Sequence, residues 1–359
     1  MMLATLRRRA LPLTRAGRHA PLRPAMRAQR FQAPAREFSV LTDLFARLRS
    51  WWQPPTSLPA PTEPSKRVVL STGRRNAKTV CLVDGNNLQY FVFDPTCPMM
   101  HNDAYVGATV RFLQRLRHLV LTQQPDGIVV FFDTSKVTDR KKENPAYKSE
   151  RKPMEPRLRP QFKLTTAALR ALNLPIARVP GVEADDLIAS YAKACVDQGY
   201  NAVIVSNDND FLQLVQSSTV TVLKPSRNQV LREKDVRAML HGGKPFLQPD
   251  IRALCGDRWG KTPGLPGGLN RRQAVDLLEA SGGLLPLLDN LENVLVDDET
   301  LRQRLASADE LLRTSYRNTK LENDLVLPIA LSDLHVATNF DVLEPLLGKD
   351  AVRVVNSSL

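Results

Sequence analysis

Cysteine is scarce in this chain. Only four occur among 359 residues, at positions 81, 97, 195 and 255, and no two form a CxxC pair. That spacing excludes a disulfide framework and a thiolate zinc site, and leaves buried, reduced thiols as the simple reading. Histidine is nearly as rare. The five, at 19, 101, 118, 241 and 335, include no HExxH, so the zinc-protease pattern is missing too. No apolar run approaches the ~20 residues of a bilayer-spanning helix, and no membrane partner is expected. Acidic residues are absent from positions 1–36, which carry nine arginines.

That last absence shapes the charge. The chain is +13 in all, yet residues 1–38 set nine arginines against the single acid Glu37, a balance of +8 that leaves +5 for the remainder. An Arg-rich, acid-free, lightly apolar leader has the composition of a mitochondrial transit peptide, and "REFS" at 36–39 resembles a processing site of such presequences. A matrix protein is expected. A disordered basic arm for nucleic acid fits the same composition. Residues 39–77 read as an extended linker, since "WWQPPTSLPAPTEPSKR" puts five prolines between positions 54 and 64.

What remains is rich enough to fold: 43% of the chain is apolar, which supports a sizeable core. Strands are expected at 79–83, 127–132, 174–179, 201–205, 219–223 and 228–231, and helices at 104–121, 161–172 and 183–197. Continuous β-branched runs alternating with helices predict an α/β fold over 78–240, with a mostly parallel central sheet and helices on both faces. Residues 134–160 are basic and punctuated by proline. Residues 241–350 read as a helical C-terminal subdomain, interrupted near its start by the Gly/Pro-rich stretch 256–268. A monomer is expected.

Functional groups in such a fold gather outside the carboxyl ends of the strands. Asp84 ends one expected strand and Asp133 a second. Asp208 and Asp210 follow a third, and Glu183, Asp185 and Asp186 open the helix at 183–197. Each alone also fits a turn or a helix cap. Together they are hard to assign to turns, because carboxylates converging on one rim repel unless a cation lies between them. The natural counter-ions are hard divalent cations with oxygen ligands, Mg²⁺ or Mn²⁺. Two such ions ~3.5–4 Å apart serve phosphodiester hydrolysis. A calcium EF-hand is a poor match, since Phe211 and Leu212 fall where that loop needs ligands and glycine.

Six motifs then occur in order: "LVDG" (82–85), "VVFFD" (129–133), "AYKSERKPM" (146–154), "GVEADD" (181–186), "NDNDFLQLV" (207–215) and "ALCGD…PGLPG" (253–267). Together they resemble the 5′-nuclease domain of bacterial DNA polymerase I and, more broadly, the flap endonuclease family with its PIN-like core, over about residues 78–335. The resemblance implies a first metal site from Asp84, Asp133, Glu183, Asp185 and Asp186, with Asp185 as a bridge, and a second from Asp208, Asp210 and Asp257. There is one departure. Where the family pattern G-D-x-x-D-N-I-P has its second aspartate, "GDRWGKTP" has Gly260 beside Lys261. The second ion is therefore expected to be held weakly, or partly by substrate.

Residues 139–159 carry eight basic side chains, which on charge alone fit a solvated loop equally well. By the resemblance, 134–160 forms a basic helical arch over a single-stranded 5′ end. Arg140, Lys148, Arg151 and Lys152 would contact the nucleic acid there, with Lys148 and Arg151 gripping the scissile phosphate and acting alongside Asp185 in catalysis. Tyr147 stacks on a base or packs in the core. Phe91 follows Tyr90 where the family often has an arginine. "PGLPGGLNRRQAV" (263–275) resembles a helix–hairpin–helix, in which the turn at Gly264 and Gly267 aims N–H groups at duplex phosphates, often through a monovalent cation such as K⁺. Arg271 and Arg272 add charge beside it. A plain loop between two helices fits this stretch too.

The activity implied is that of a structure-specific 5′ nuclease, a 5′-3′ exonuclease or flap endonuclease with two Mg²⁺ or Mn²⁺ ions. Its partners would be DNA carrying 5′ flaps or RNA primers in mitochondrial replication and repair. Contacts to backbone would make it read structure rather than sequence. Two rivals stay open. Gly260 and Phe91 suit a weak or inactive binder of branched nucleic acid, and a PIN-type mitochondrial ribonuclease is the other.

Overall fold

The six expected strands form, and a period of two explains how each is buried. The computed structural model describes residues 77–96, 99–134, 136–138, 141, 142, 153–257, 262–295 and 298–358. The expected leader, nearly all of the expected linker, and Arg140, Tyr147, Lys148, Arg151, Lys152 and Gly260 lie outside these residues. In chain order the strands are β1 (Thr79–Asp84), β2 (Met100–His101), β3 (Ala104–Tyr105), β4 (Gly127–Phe131), β5 (Ile176–Ala177), β6 (Asn201–Val205), β7 (Val220–Lys224) and β8 (Gln229–Leu231). Six of them make one sheet in the order β5-β4-β1-β6-β7-β8. Its pairings are parallel except β7 with β8.

Alternate side chains of a strand point to opposite faces. Val80 and Leu82, Val129 and Phe131, and Ala202 and Ile204 face one core. Cys81 and Val83, Ile128 and Val130, and Val203 and Val205 face the other. Both faces are covered, which is why these strands read as unbroken apolar runs. On the second face lie α1 (Gly85–Val92), α2 (Gly107–Gln123) and α3 (Arg159–Ala171), through residues such as Leu88, Leu113 and Leu169. On the first lies α4 (Ala184–Asp197), through Leu187 and Ile188. Cys81 and Cys195 are buried and free. Burial pushes both thiols up, that of Cys195 to about 12, which suits inert core residues.

Two boundaries differ from expectation for local reasons. The helix expected from 104 begins at Gly107, because Asn102 and Asp103 adopt φ of 46° and 59° and turn β2 back onto β3. The helix expected from 161 begins at Arg159, with Pro160 in its first turn, where a missing N–H costs nothing. Gly85 lets α1 turn sharply off β1. A Cβ there would stand 2.6 Å from the Phe131 carbonyl oxygen and 2.7 Å from the Phe132 ring.

Beyond β8 the described chain is helical, as expected: α5 (Glu233–Met239), α6 (Gln248–Cys255), α7 (Arg271–Ser281), α8 (Leu284–Asp289), α9 (Leu291–Val294), α10 (Glu299–Ser307), α11 (Asp309–Thr319), α12 (Glu344–Leu347) and α13 (Lys349–Asn356). Between α11 and α12 an irregular stretch runs along α4. Glu322 N donates to Asp186 Oδ1 at 2.9 Å and Leu325 N to Ser190 Oγ at 3.2 Å. The Tyr191 hydroxyl donates to Ile329 O at 2.8 Å and accepts from Ile329 N at 3.1 Å. No helix among the described residues is long and apolar enough to cross a membrane.

Candidate metal centre

Strand register brings the acids to one edge. Asp84 pairs across to Phe131 and Val83 to Val205, and parallel neighbours stand ~4.8 Å apart. Asp133 and Asp208, just past the ends of β4 and β6, therefore flank Asp84. The Asp84 side chain is 4% exposed. Its Oδ1 caps α1 by accepting from Asn87 N at 2.9 Å, and its Oδ2 accepts from the Ser206 hydroxyl at 2.8 Å. Burial nevertheless pushes its carboxyl up to about 6, and the like charges of Asp208 and Asp133 push the same way.

Asp133 ties two helices together. Its carboxylate accepts from Asn86 Nδ2 at 2.8 Å and from Ala184 N at 3.0 Å, so it sits at the N-terminus of α4, where the helix dipole favours an anion. Glu183 is the N-cap position of α4, and its Oε1 accepts from the Thr138 hydroxyl at 3.2 Å. Asp185, half-buried, and Asp186, buried, fill the first turn. Asp186 leans the other way, since its Oδ1 is committed to the backbone of Glu322.

The second group is built differently. Asp208 Oδ1 accepts from Asp210 N at 3.0 Å in an Asx turn. Lys224 ends β7, the next strand along, and is only 6% exposed. Its Nζ donates to the Asp208 carbonyl at 2.5 Å. Burial lowers its pKa to about 8, while the charges of Asp208, Asp210 and Asp84 hold it up. Arg252 on α6 reaches across the gap. Its Nη1 contacts Asp210 Oδ1, and its Nη2 donates to Asp257 Oδ2 at 3.1 Å.

The predicted acids Asp84, Asp133 and Asp208 thus share a rim. Among the described residues no three carboxylate, histidine or cysteine side chains form a ready-made cluster, and the oxygens described above turn to a hydroxyl, an amide or a cation of the protein. The donor chemistry still fits a hard divalent ion on the Asp84 side, where a desolvated carboxylate faces two like charges. The gap between Asp210 and Asp257 holds a guanidinium instead.

The nucleic-acid residues divide similarly. Residues 262–270 lead into α7 as a described loop, the place a helix–hairpin–helix turn would take. Gly264 is buried there at φ 71°, and a Cβ would stand 2.5 Å from Gly256 N, so packing alone requires glycine. Gly267 is exposed, as are Arg271 and Arg272 at the start of α7. The Pro266 and Gly268 carbonyls accept from Arg304 Nη2 at 2.9 and 2.5 Å. A potassium ion on those oxygens would have to displace that guanidinium, so the turn fits Arg304 rather than K⁺. Phe91 lies under the guanidinium of Arg115, 5.6 Å from the ring centroid, so a positive charge does stand beside that position. Sequence reasoning overlooked Arg252, Lys224, Ser206, Asn86 and Arg304. Lys224 offered a signal: it is the charged residue that ends "VTVLK" at the same edge of the sheet.

This architecture is the PIN-like fold of flap endonucleases. The zinc-bound T5 5′-exonuclease matches it with a TM-score of 0.55 over 78% of this chain and 97% of its own, at 19% identity. A bacteriophage T5 flap endonuclease, solved as a pseudo-enzyme-product complex with DNA and metal ions, matches with 0.54 over 78% and 100%, at 20% identity. Sequence comparison goes further than fold. The model of the 5′-3′ exonuclease N-terminal resolvase-like domain matches residues 79–241. A 5′-3′ exonuclease of Aquifex aeolicus is 31% identical over 261 residues, 72% of this chain and 87% of its own length. The chain belongs to this 5′-3′ exonuclease family. DNA polymerase I of Mycobacterium bovis is 33% identical over 266 residues, but there the match spans 28% of the polymerase.

Proposed function

We propose that the chain is a structure-specific 5′ nuclease acting as a monomer, which hydrolyses phosphodiester bonds at the rim formed by Asp84, Asp133, Glu183, Asp185 and Asp208. One observation carries this reading. Asp84 is a buried carboxylate facing two like charges at the aligned ends of parallel strands, an arrangement that costs free energy until a cation offsets it. A divalent ion, Mg²⁺ or Mn²⁺, would supply there a water of lowered pKa and positive charge beside the leaving oxygen. The protein's part is orientation. Ser206 and Asn87 N fix Asp84, and Asn86 and Ala184 N fix Asp133.

Arg140, Lys148, Arg151 and Lys152 hold the single strand and the scissile phosphate, with Tyr147 stacking on a base. Arg271 and Arg272 meet duplex phosphates from the start of α7. The relatives' nuclease names and the DNA and metal ions of the T5 complex support this assignment. The substrate is DNA with a 5′ flap or RNA primer, cut near the junction of single strand and duplex. With residues 1–38 as import leader, the setting is primer or flap removal in mitochondrial DNA replication and repair.

The direct test is cleavage of a fluorescent 5′-flap duplex. Turnover with Mg²⁺ or Mn²⁺, lost in Asp84→Ala, is expected. Flap binding without cutting in either metal would instead favour a non-catalytic binder, the reading that Arg252 between Asp210 and Asp257 suggests. Preference for an all-RNA substrate would favour a ribonuclease. A reporter fused to residues 1–45 that stayed cytosolic would end the mitochondrial assignment.

A further inference from the structure

We propose that Arg252 and Lys224 take the place of the second divalent ion, so that each chain loads a single ion, on the Asp84–Asp133 side of the rim. The inference rests on the metal-dependent nuclease reading above and narrows it. A Mg²⁺ ion bridging Asp210 and Asp257 would need an oxygen of each within ~2.0–2.1 Å of one point. Arg252 already spans the pair, with Nη1 on Asp210 and Nη2 3.1 Å from Asp257 Oδ2. Its Nε is buried without a hydrogen-bond partner, so the side chain gives up one donor to keep that bridge.

Displacing it would leave a half-buried guanidinium without its two carboxylates, which is costlier than leaving it paired. Lys224 completes the replacement from the other side. The strand β7 fixes its ammonium against the Asp208 carbonyl, within electrostatic range of Asp208 and Asp210. The sequence agrees: position 260 is glycine where the family pattern has an aspartate, and Lys261 adds another positive charge beside it. Two cationic side chains on three acids do the electrostatic work of an ion without exchanging with solvent. Asp84 and Asp133 make their hydrogen bonds to neutral donors in the contacts above, and Lys224, which also feels the charge of Asp84, donates to the Asp208 carbonyl rather than to either carboxylate, so both carboxylates can still take up an external cation.

The test is Mn²⁺ binding to the full chain, by equilibrium dialysis for stoichiometry and by electron paramagnetic resonance for ion–ion coupling. Wild type is expected to take up one Mn²⁺ with an uncoupled six-line spectrum. Arg252→Met combined with Gly260→Asp is expected to take up a second, broadening the spectrum. Two coupled ions in wild type would overturn the inference, and that measurement needs no variant to fold. A double variant that melts cooperatively yet stays at one ion would overturn it too, by showing that Arg252 does not exclude the second. No bound Mn²⁺ in wild type would bring down the metal-dependent reading itself, a distinguishable result.

Discussion

On the Asp84 side of the rim, carboxylates meet a serine hydroxyl, an asparagine amide and two backbone N–H groups. On the Asp257 side they meet an arginine, with a buried lysine behind. Neutral donors orient a carboxylate but leave its charge, so in the proposed reading the first side draws a cation from solution. Cationic side chains remove the charge for good. Acidic residues at one sheet edge can thus be a binding site or a finished salt-bridge network, and only the partners distinguish them.

The contrast can be broken at either end. The largest effect is expected from Asp84→Asn, which should lower flap cleavage by about 10³-fold or more. The same change should raise the metal-free melting temperature at pH 8, because the ionised Asp84 burdens the fold. Loss of activity together with loss of stability would mean that Asp84 is structural. Next comes Asp186→Ala, which strips the acceptor of Glu322 N and should destabilise by ~1–3 kcal/mol in urea melts.

A smaller effect is a pH-dependent one. The folded-state value of Asp84, about 6, lies above its ordinary 3.8. At the lowest pH both states are protonated and no penalty exists. As pH rises through 3.8 towards 6 the unfolded state loses its proton first, so stability contributed by this group falls. Mg²⁺ should therefore raise the melting temperature by several degrees at pH 8 and by little at pH 4, and an equal shift at both would contradict the assignment. The smallest is Arg304→Ala, expected to weaken flap binding a few-fold. Wild-type binding should be the same in KCl and NaCl at equal ionic strength, whereas a potassium-specific gain would restore the ion at the hairpin turn.

How much of this was legible beforehand follows from what each pattern encodes. Strand runs such as "GIVVF" carry their own burial signal, and strands so arranged put Asp84, Asp133 and Asp208 on one rim by register alone. The β2–β3 hairpin was missed because two-residue strands are too short to show a period. Arg252 was missed because an arginine in the last turn of a helix reads as a solvated, dipole-matched group, and nothing in "DIRALCGD" says that its turn faces Asp210. Lys224 was missed because attention to acidic strand ends passed over a basic one. Both are tertiary facts, set by how α6 and β7 dock rather than by spacing.

The irregular stretch across α4 carries a consequence of its own. It grips Asp186, Ser190 and Tyr191 along the same helix whose first turn presents Asp185. A single proteolytic nick between residues 320 and 329 would leave every strand of the sheet in place. It would still slacken the mooring of that helix, so wear on the tail would surface first as blunted chemistry, well before the molecule came apart.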